Sequence, residues 1–285
     1  MNKHQLFRYF IESLNSIYPE YESESIFFLL LEEKHHVNRL KFNSEKEMLV
    51  SHDEKKEWET VIEQLKVGRP IQHILGYGYC YERQFIVNEH TLIPRMETEE
   101  LIHLILKDNL DIALNVLDIG TGTGCIAINL AEERKSWNVS AVDVSEKALL
   151  IANENKDNLG AKVKFNKFDI LKKEQWSAFE SASLDIIVSN PPYVMSSEKQ
   201  KMHTNVLNFE PHLALFVSDE EPLLFYQTII EFASLKLKSG AKLYFEINEQ
   251  FSVEVATLFS EYAFEKIVQL KDLQSKDRIV YAEKL

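Results

Sequence analysis

The sequence predicts an α/β protein: a mostly parallel sheet with helices on both faces, preceded by a small helical bundle. Three observations carry that expectation. Seven runs of strand length alternate with helical stretches from about residue 95 onward, the pattern of a parallel sheet with crossover helices. Apolar residues in the first 70 or so positions recur instead at helical spacing. Between the two lies a stretch rich in glycine and tyrosine that has neither texture. The expected units are a helical bundle over 1–73, a connector over 74–94 and an α/β domain over 95–285.

In the bundle, Leu6, Phe7, Phe10, Ile11, Leu14 and Ile17 mark one helix. The apolar run from Ile26 to Leu31 follows Ser25, read as its N-cap, and Ser44 with Glu47 has capping-box spacing. Trp58, Val61, Ile62 and Leu65 form a further stripe, closed by Gly68 and Pro70. His35 and His36 are adjacent on an expected helix and face different directions, which argues against a metal site. From Ile74 to Pro94, Gly76, Tyr77, Gly78, Tyr79, Tyr81, Phe85 and Val87 suit short strands in a hairpin. The strands expected for the sheet are 115–119, 139–142, 162–166, 184–189, 242–247, 264–270 and 279–283. Ligands of such sheets bind beyond the carboxyl ends of the strands, where strand order reverses. Chemically informative residues should therefore follow strands, and they do.

With 45% hydrophobic and 27% charged residues, the 285-residue chain has enough apolar material for a sizeable core. A net charge of −13 argues against a surface that tracks phosphates or anionic lipid. Cys80 and Cys125 are far apart in no metal-like spacing, so neither a disulfide framework nor a zinc site is indicated. The opening residues MNKHQLFRYF lack a secretory pattern, and no apolar run approaches the length of a membrane span. The expectation is a cytoplasmic protein.

The first sheet strand runs into Asp118-Ile119-Gly120-Thr121-Gly122-Thr123-Gly124, which places three of the chain's eight glycines within five residues. Glycine lacks a Cβ and tolerates positive φ, so such a loop lets backbone approach a ligand closely. There is no lysine for a P-loop, and Cys125 stands where a dinucleotide fingerprint wants its third glycine. Asp118 would repel a pyrophosphate but suits a ligand carrying an ammonium group and a sulfonium, which is S-adenosylmethionine. Asp143, at the end of the next strand, is placed to hold a ribose diol. After the third strand, Asp169 is a candidate acceptor for the adenine amino group, with Ile170 against the ring; a helix N-cap accounts for Asp169 equally well.

The most specific feature is Ser189-Asn190-Pro191-Pro192-Tyr193, where a buried strand meets two prolines. The prolines remove two backbone donors and stiffen the turn, which leaves carbonyls free as acceptors. The Asn190 side-chain oxygen and the Pro191 carbonyl together grip a planar NH2 group, and Tyr193 would stack on its flat face. Such a clamp catalyses by orientation, with electrostatics that favour charge developing on nitrogen. The reading from spacing is methyl transfer to a planar amino nitrogen.

Further segments carry a family resemblance: Arg69-Pro70-Ile71-Gln72-His73-Ile74-Leu75-Gly76, Phe85-Ile86-Val87, Leu92-Ile93-Pro94-Arg95-Met96-Glu97-Thr98-Glu99, Phe209-Glu210-Pro211-His212-Leu213-Ala214-Leu215 and Asp277-Arg278-Ile279-Val280. Over nearly its whole length the chain resembles the protein-glutamine N5-methyltransferases that modify class 1 peptide chain release factors. The resemblance implies a Rossmann-like class I S-adenosylmethionine-dependent methyltransferase domain with a mostly parallel seven-stranded sheet. It implies methylation of the glutamine in the Gly-Gly-Gln loop of release factors, with S-adenosylhomocysteine as the other product and no metal. By motif, Gly120 to Gly124 and Asp143 would hold the cofactor. Asn190 to Tyr193, including Pro192, would hold the glutamine amide, with Asn190 also close to the cofactor. The helical N-terminal domain would help grip the release factor, and the enzyme would be a monomer. The sequence departs at Met96, where the family usually has proline, at Ile170, where many members have tryptophan, and at Asn248, where glycine is common.

Two other readings stay open from sequence. The same clamp suits an exocyclic amine of adenine or guanine in DNA or RNA, which the acidic balance disfavours. A noncatalytic binding protein is the other, disfavoured by the intact Asn-Pro-Pro-Tyr segment. Glu97 and Glu99 read equally as active-site acids or as carboxylates favoured at a helix start.

Overall fold

Short polar side chains start three of the chain's first five helices, and prolines precede the other two. In the computed structural model, which describes all 285 residues apart from the side chain of Lys201, these are α1 (Lys3–Leu14), α2 (Glu20–His35), α3 (Arg39–Glu45), α4 (His52–Lys66) and α5 (Ile71–Leu75). Asn2 caps α1 in a reciprocal box with Gln5, while Asn38 caps α3 and Ser51 caps α4. Two expected caps do not form. Ser25 lies within α2, which starts after Pro19, and its hydroxyl donates to the Tyr21 carbonyl at 2.8 Å. Ser44 lies within α3 and donates to the Lys41 carbonyl, while Glu47 accepts from the Asn2 side chain. In both cases the serine hydroxyl finds a carbonyl one turn back on its own helix, the alternative to capping.

Phe10, Phe27, Phe42, Trp58, Leu30 and Ile62 fill the core of this unit, with Phe27 stacked on Trp58 at 4.6 Å between ring centroids. Each such fully buried side chain contributes roughly 1.5–3 kcal/mol. The unit comprises Met1–Tyr77 together with the separate stretch His203–Phe209.

The second unit comprises Gly78–Met202 and Glu210–Leu285. Its first elements are the hairpin strands β1 (Tyr77–Cys80), whose first residue is counted with the other unit, and β2 (Arg83–Ile86). The two turn residues, Tyr81 and Glu82, both have positive φ, 51° and 63°, as the twist of a two-residue hairpin loop demands. There follow α6 (Met96–Asp108), β3 (Asn115–Ile119), α7 (Cys125–Glu133), β4 (Asn138–Asp143), α8 (Glu146–Leu159), β5 (Val163–Lys167), β6 (Leu184–Ser189) and the short β7 (Val194–Met195). After α9 (Thr204–Phe209), which is counted with the first unit, come α10 (His212–Leu215), β8 (Phe216–Val217), α11 (Leu224–Lys236) and β9 (Leu237–Glu246). The chain ends with α12 (Ser252–Glu261), β10 (Phe264–Lys271) and β11 (Asp277–Lys284).

All seven expected strands form one sheet, in the order β10-β11-β9-β6-β3-β4-β5, antiparallel only where β11 pairs with β10 and β9. Strand β9 begins at Leu237, earlier than expected, because its first residues pair with β6 across an irregularity between Leu184 and Ile186. The two-residue ladder of β7 with β8 is too short to leave a periodic signal in sequence. Alternation sends Ile187, Leu243 and Phe245 into a core with Tyr226, Ile229 and Phe259 from α11 and α12. Ile186, Val188 and Tyr244 point the other way, against Leu101, Ile105 and Ile126 from α6 and α7. Strand β3 has β4 on one side and β6 on the other, so strand order reverses there and a crevice opens at the carboxyl ends. No helix among the described residues is long and apolar enough to cross a membrane.

Candidate active site

The glycine loop leaves β3 tied by hydrogen bonds to the neighbouring strand. The amides of Gly120 and Thr121 both donate to the Val142 carbonyl, at 2.9 and 3.1 Å. Gly120 and Gly122 have φ of 76° and 55°, and a Cβ at either would meet nothing within 4 Å. Bare backbone therefore faces open space at these two positions. Asp143 braces the loop: its Oδ2 accepts from the Gly122 amide and its Oδ1 from the Ser145 amide, both at 2.9 Å. The carboxylate, which also lines the cleft, is an acceptor only. Burial pushes the Asp143 carboxyl above its usual range, and these amides pull it back.

One cleft gathers most of the residues singled out in sequence. Gly120, Thr121, Gly122, Thr123, Asp143, Asp169, Ile170, Asn190, Pro191 and Pro192 all line it, together with Ile93, Arg95, Thr98, Pro211 and Leu213. Ile170 is buried, and its carbonyl accepts from the Trp176 indole at 2.9 Å, which fixes an aliphatic wall. Asp169 accepts from the Leu171 amide at 3.1 Å with one oxygen, and the Lys172 ammonium lies 3.7 Å from the other.

Three residues of the sequence-predicted set do not line the cleft. Gly124 packs inward at φ 82°, where a Cβ would meet Phe165 Cζ at 2.9 Å and Ile128 Cδ1 at 3.0 Å. Its glycine is required by helix–sheet packing. Asp118 is fully buried; Oδ2 accepts from the Thr121 hydroxyl at 2.5 Å, and Oδ1 has no hydrogen-bond partner among the described residues. Burial pushes this carboxyl up to about 7, with the Asp143 charge adding to it and the Thr121 hydroxyl opposing it. Tyr193 turns its ring against the core and donates its hydroxyl to Glu246 Oε1 at 3.2 Å. It borders a second hollow with Asn248 and Arg278. Tyr193 is thus partly buried against the core and borders that hollow rather than the cleft.

The geometry adds Thr98 and Glu246, to which the sequence alone assigns no role in a site. Thr98 lines the cleft; its hydroxyl donates to Glu246 Oε2 at 2.7 Å, and its oxygen lies 3.4 Å from Asn190 Nδ2 as acceptor. Glu246, at the end of β9, is 1% exposed. Its carboxyl is raised by burial and held back by Thr98, Arg278 and Tyr193. A signal was present, since Glu246 is a charged residue closing the apolar run Leu243-Tyr244-Phe245. Glu97 and Glu99 drew attention instead, yet they sit in the first turn of α6 and neither lines the cleft. Glu210 is also buried; it pairs with the Arg95 guanidinium and accepts from the Ile93 amide at 3.0 Å, pinning the cleft rim. Met96 is exposed at the first position of α6, and Asn248 donates to the Tyr193 carbonyl at 3.2 Å, a bond that glycine has no side chain to make.

Comparison with known proteins follows the same two-part division. Residues 98–210 match the methyltransferase small domain family, and residues 5–76 match the PrmC N-terminal domain. The chain is 44% identical over 275 residues to the release factor glutamine methyltransferase of Flavobacterium psychrophilum, covering 95% of each. It is 41% identical over 276 residues to that of Bacteroides thetaiotaomicron, covering 97% of this chain and 98% of the relative. Among solved structures, a methyltransferase from Pyrococcus furiosus aligns with a TM-score of 0.51 at 17% identity, over 70% of this chain and 89% of its own, a likeness of fold.

Proposed function

The chain belongs to the release factor glutamine methyltransferase family, and on that premise we propose what it does. It transfers a methyl group from S-adenosylmethionine to the side-chain amide nitrogen, N5, of the glutamine in the Gly-Gly-Gln motif of class 1 peptide chain release factors. The consequence is modulation of translation termination. One observation carries the assignment to this cleft: the glycine loop after β3 and Asn190 after β6 open side by side at the reversal of strand order.

The residues present fit the cofactor. Gly120 and Gly122 offer backbone without side chains, Asp143 offers an acceptor to a ribose diol, and Ile170 with Asp169 suits an adenine ring and its amino group. The buried Oδ1 of Asp118, lacking a partner, suits a cationic group held beyond Thr121. When bound, S-adenosylmethionine supplies a methyl group activated by a sulfonium. The Asn190 side-chain oxygen and the Pro191 carbonyl accept hydrogen bonds from the two N–H groups of the glutamine amide. That grip orients the nitrogen lone pair and stabilises positive charge growing on it. No strong base is needed from the chain, because the nitrogen proton becomes acidic only as the methyl group arrives and leaves to water. Pro192 stiffens the turn, and Tyr193 holds it against the core through Glu246.

The N-terminal bundle, residues 1–73, grips the release factor, and the enzyme works as a cytoplasmic monomer without membrane or nucleic-acid partners. The relatives are named for release factor glutamine, which favours this substrate over an exocyclic amine of a nucleobase. The test is intact-mass and peptide mass spectrometry of an unmethylated release factor mixed with the protein and S-adenosylmethionine, with nucleic acid present. One added methyl on the Gly-Gly-Gln peptide, absent with Asn190→Ala, is the expected result. Methylated adenine or guanine beside an untouched release factor would overturn it.

A further inference from the structure

Asparagine amides fit a site in two orientations that are nearly isosteric but opposite in polarity. With the oxygen toward the cleft, Asn190 accepts from a neutral NH2 group; with the nitrogen toward it, the same side chain donates to a carboxylate. Hydrogen-bond partners decide which orientation is stable. Among the described residues, the Asn190 side chain has one such partner, Thr98 Oγ1 at 3.4 Å from Nδ2. A threonine hydroxyl can act as donor or acceptor, so Thr98 alone does not settle the polarity.

We infer that Glu246, acting through Thr98, sets the donor–acceptor polarity of the Asn190 clamp and thereby selects a carboxamide over a carboxylate. This rests on the reading of the cleft as the glutamine site. Glu246 is buried at the end of β9 and receives two hydroxyls, Thr98 on Oε2 at 2.7 Å and Tyr193 on Oε1 at 3.2 Å. Both Glu246 oxygens accept from hydroxyls and Arg278 counters the burial, so the carboxyl acts as an acceptor only. The single hydroxyl proton of Thr98 is therefore committed to Glu246, and its oxygen has only lone pairs left for Asn190. Asn190 meets it with the amide nitrogen and turns its oxygen to the cleft. Arg278 faces Glu246 as the nearby cation and is itself anchored to Asp272 at 3.2 Å and to the Ile247 carbonyl. Thr98 and Glu246 are positioning residues, since they act on the substrate nitrogen through Asn190.

The test compares wild type with Thr98→Val, Thr98→Ser and Glu246→Gln. Turnover is measured on the unmethylated release factor, S-adenosylmethionine affinity by calorimetry, and inhibition with a release factor whose motif glutamine is changed to glutamate. Thr98→Val and Glu246→Gln should each lower kcat by about tenfold or more while cofactor affinity stays within about twofold. Thr98→Ser should restore most of the turnover lost in Thr98→Val. The glutamate-bearing factor should inhibit Thr98→Val more strongly, relative to wild type, because Asn190 is freed to turn its nitrogen outward. A Thr98→Val enzyme with wild-type turnover and unchanged glutamate discrimination would overturn the inference. Hydrogen exchange of the Asn190 side-chain amide reads the same contact without turnover: protection in wild type and Thr98→Ser, lost in Thr98→Val, is expected. Equal protection in all three would overturn it. A wild type that protects this amide yet leaves the release factor unmodified would instead count against the substrate assignment alone.

Discussion

Ser189 donates its hydroxyl to the Ile119 carbonyl at 2.7 Å, and the two residues are register partners on adjacent parallel strands. Each is the last residue of its strand, so Gly120 and Asn190 depart from neighbouring points. The bond ties together the carboxyl ends of β3 and β6, from which the two halves of the cleft emerge. Ser189 is fully buried, and removing its hydroxyl leaves the Ile119 carbonyl without that partner.

Ser189→Ala should therefore cost about 1–2 kcal/mol of stability. It should also lower turnover more than a surface substitution of equal stability cost, because both halves of the cleft shift. Urea denaturation alongside kcat checks this. An unchanged denaturation midpoint would mean that backbone pairing alone holds the strand ends.

Asp143 supports Gly122 and Ser145 and lines the cleft. Asp143→Ala should weaken S-adenosylmethionine binding by roughly 10- to 100-fold, since hydrogen bonds to charged groups contribute about 1.5–3 kcal/mol. Calorimetric titration measures it, and an unchanged Kd would move the ribose contact elsewhere.

Burial pushes the Asp118 carboxyl up to about 7 in the folded protein, against about 4 when unfolded. A raised folded value means that the protonated acid contributes stability fully present below about pH 4 and lost as pH rises through about 7, worth up to ~4 kcal/mol. The stability of wild type minus that of Asp118→Asn, measured without cofactor, should fall between pH 5 and pH 8. A cation bound near Asp118 favours the ionised form, so cofactor affinity should rise from pH 6 to pH 7 in wild type and stay flatter in Asp118→Asn. A pH-independent stability difference would show that Asp118 keeps an ordinary carboxyl.

The glycines of the loop should separate by substitution. Gly124→Ala meets Phe165 at 2.9 Å and Ile128 at 3.0 Å in addition to its positive φ. Gly120→Ala meets nothing within 4 Å and carries the φ strain alone. Gly124→Ala should be the less stable of the two by about 1–3 kcal/mol, read by thermal or urea unfolding. Gly120→Ala should act chiefly on cofactor affinity. Equal losses of stability would mean that Phe165 and Ile128 shift at little cost.

The strands were legible because buried parallel strands leave apolar runs, and Ile186-Ile187-Val188 within β6 is one. Gly120, Asp143 and Asn190 were legible because each follows such a run, and strand ends are where ligands of this sheet bind. Local chemistry is enough for those features: glycine permits positive φ, proline removes donors, and both act within a few residues of chain. Thr98 and Glu246 were not legible in the same way. They are 148 positions apart and meet at 2.7 Å only because β9 lies beside β6 in the sheet and α6 packs onto that face. The division between Gly124 in the core and Gly122 in the cleft, and the placing of Tyr193 outside the cleft lining, were likewise decided by what packs against each residue. Sequence spacing carries the torsional and donor–acceptor character of single residues; partners far apart along the chain acquire their roles when the sheet brings them into contact.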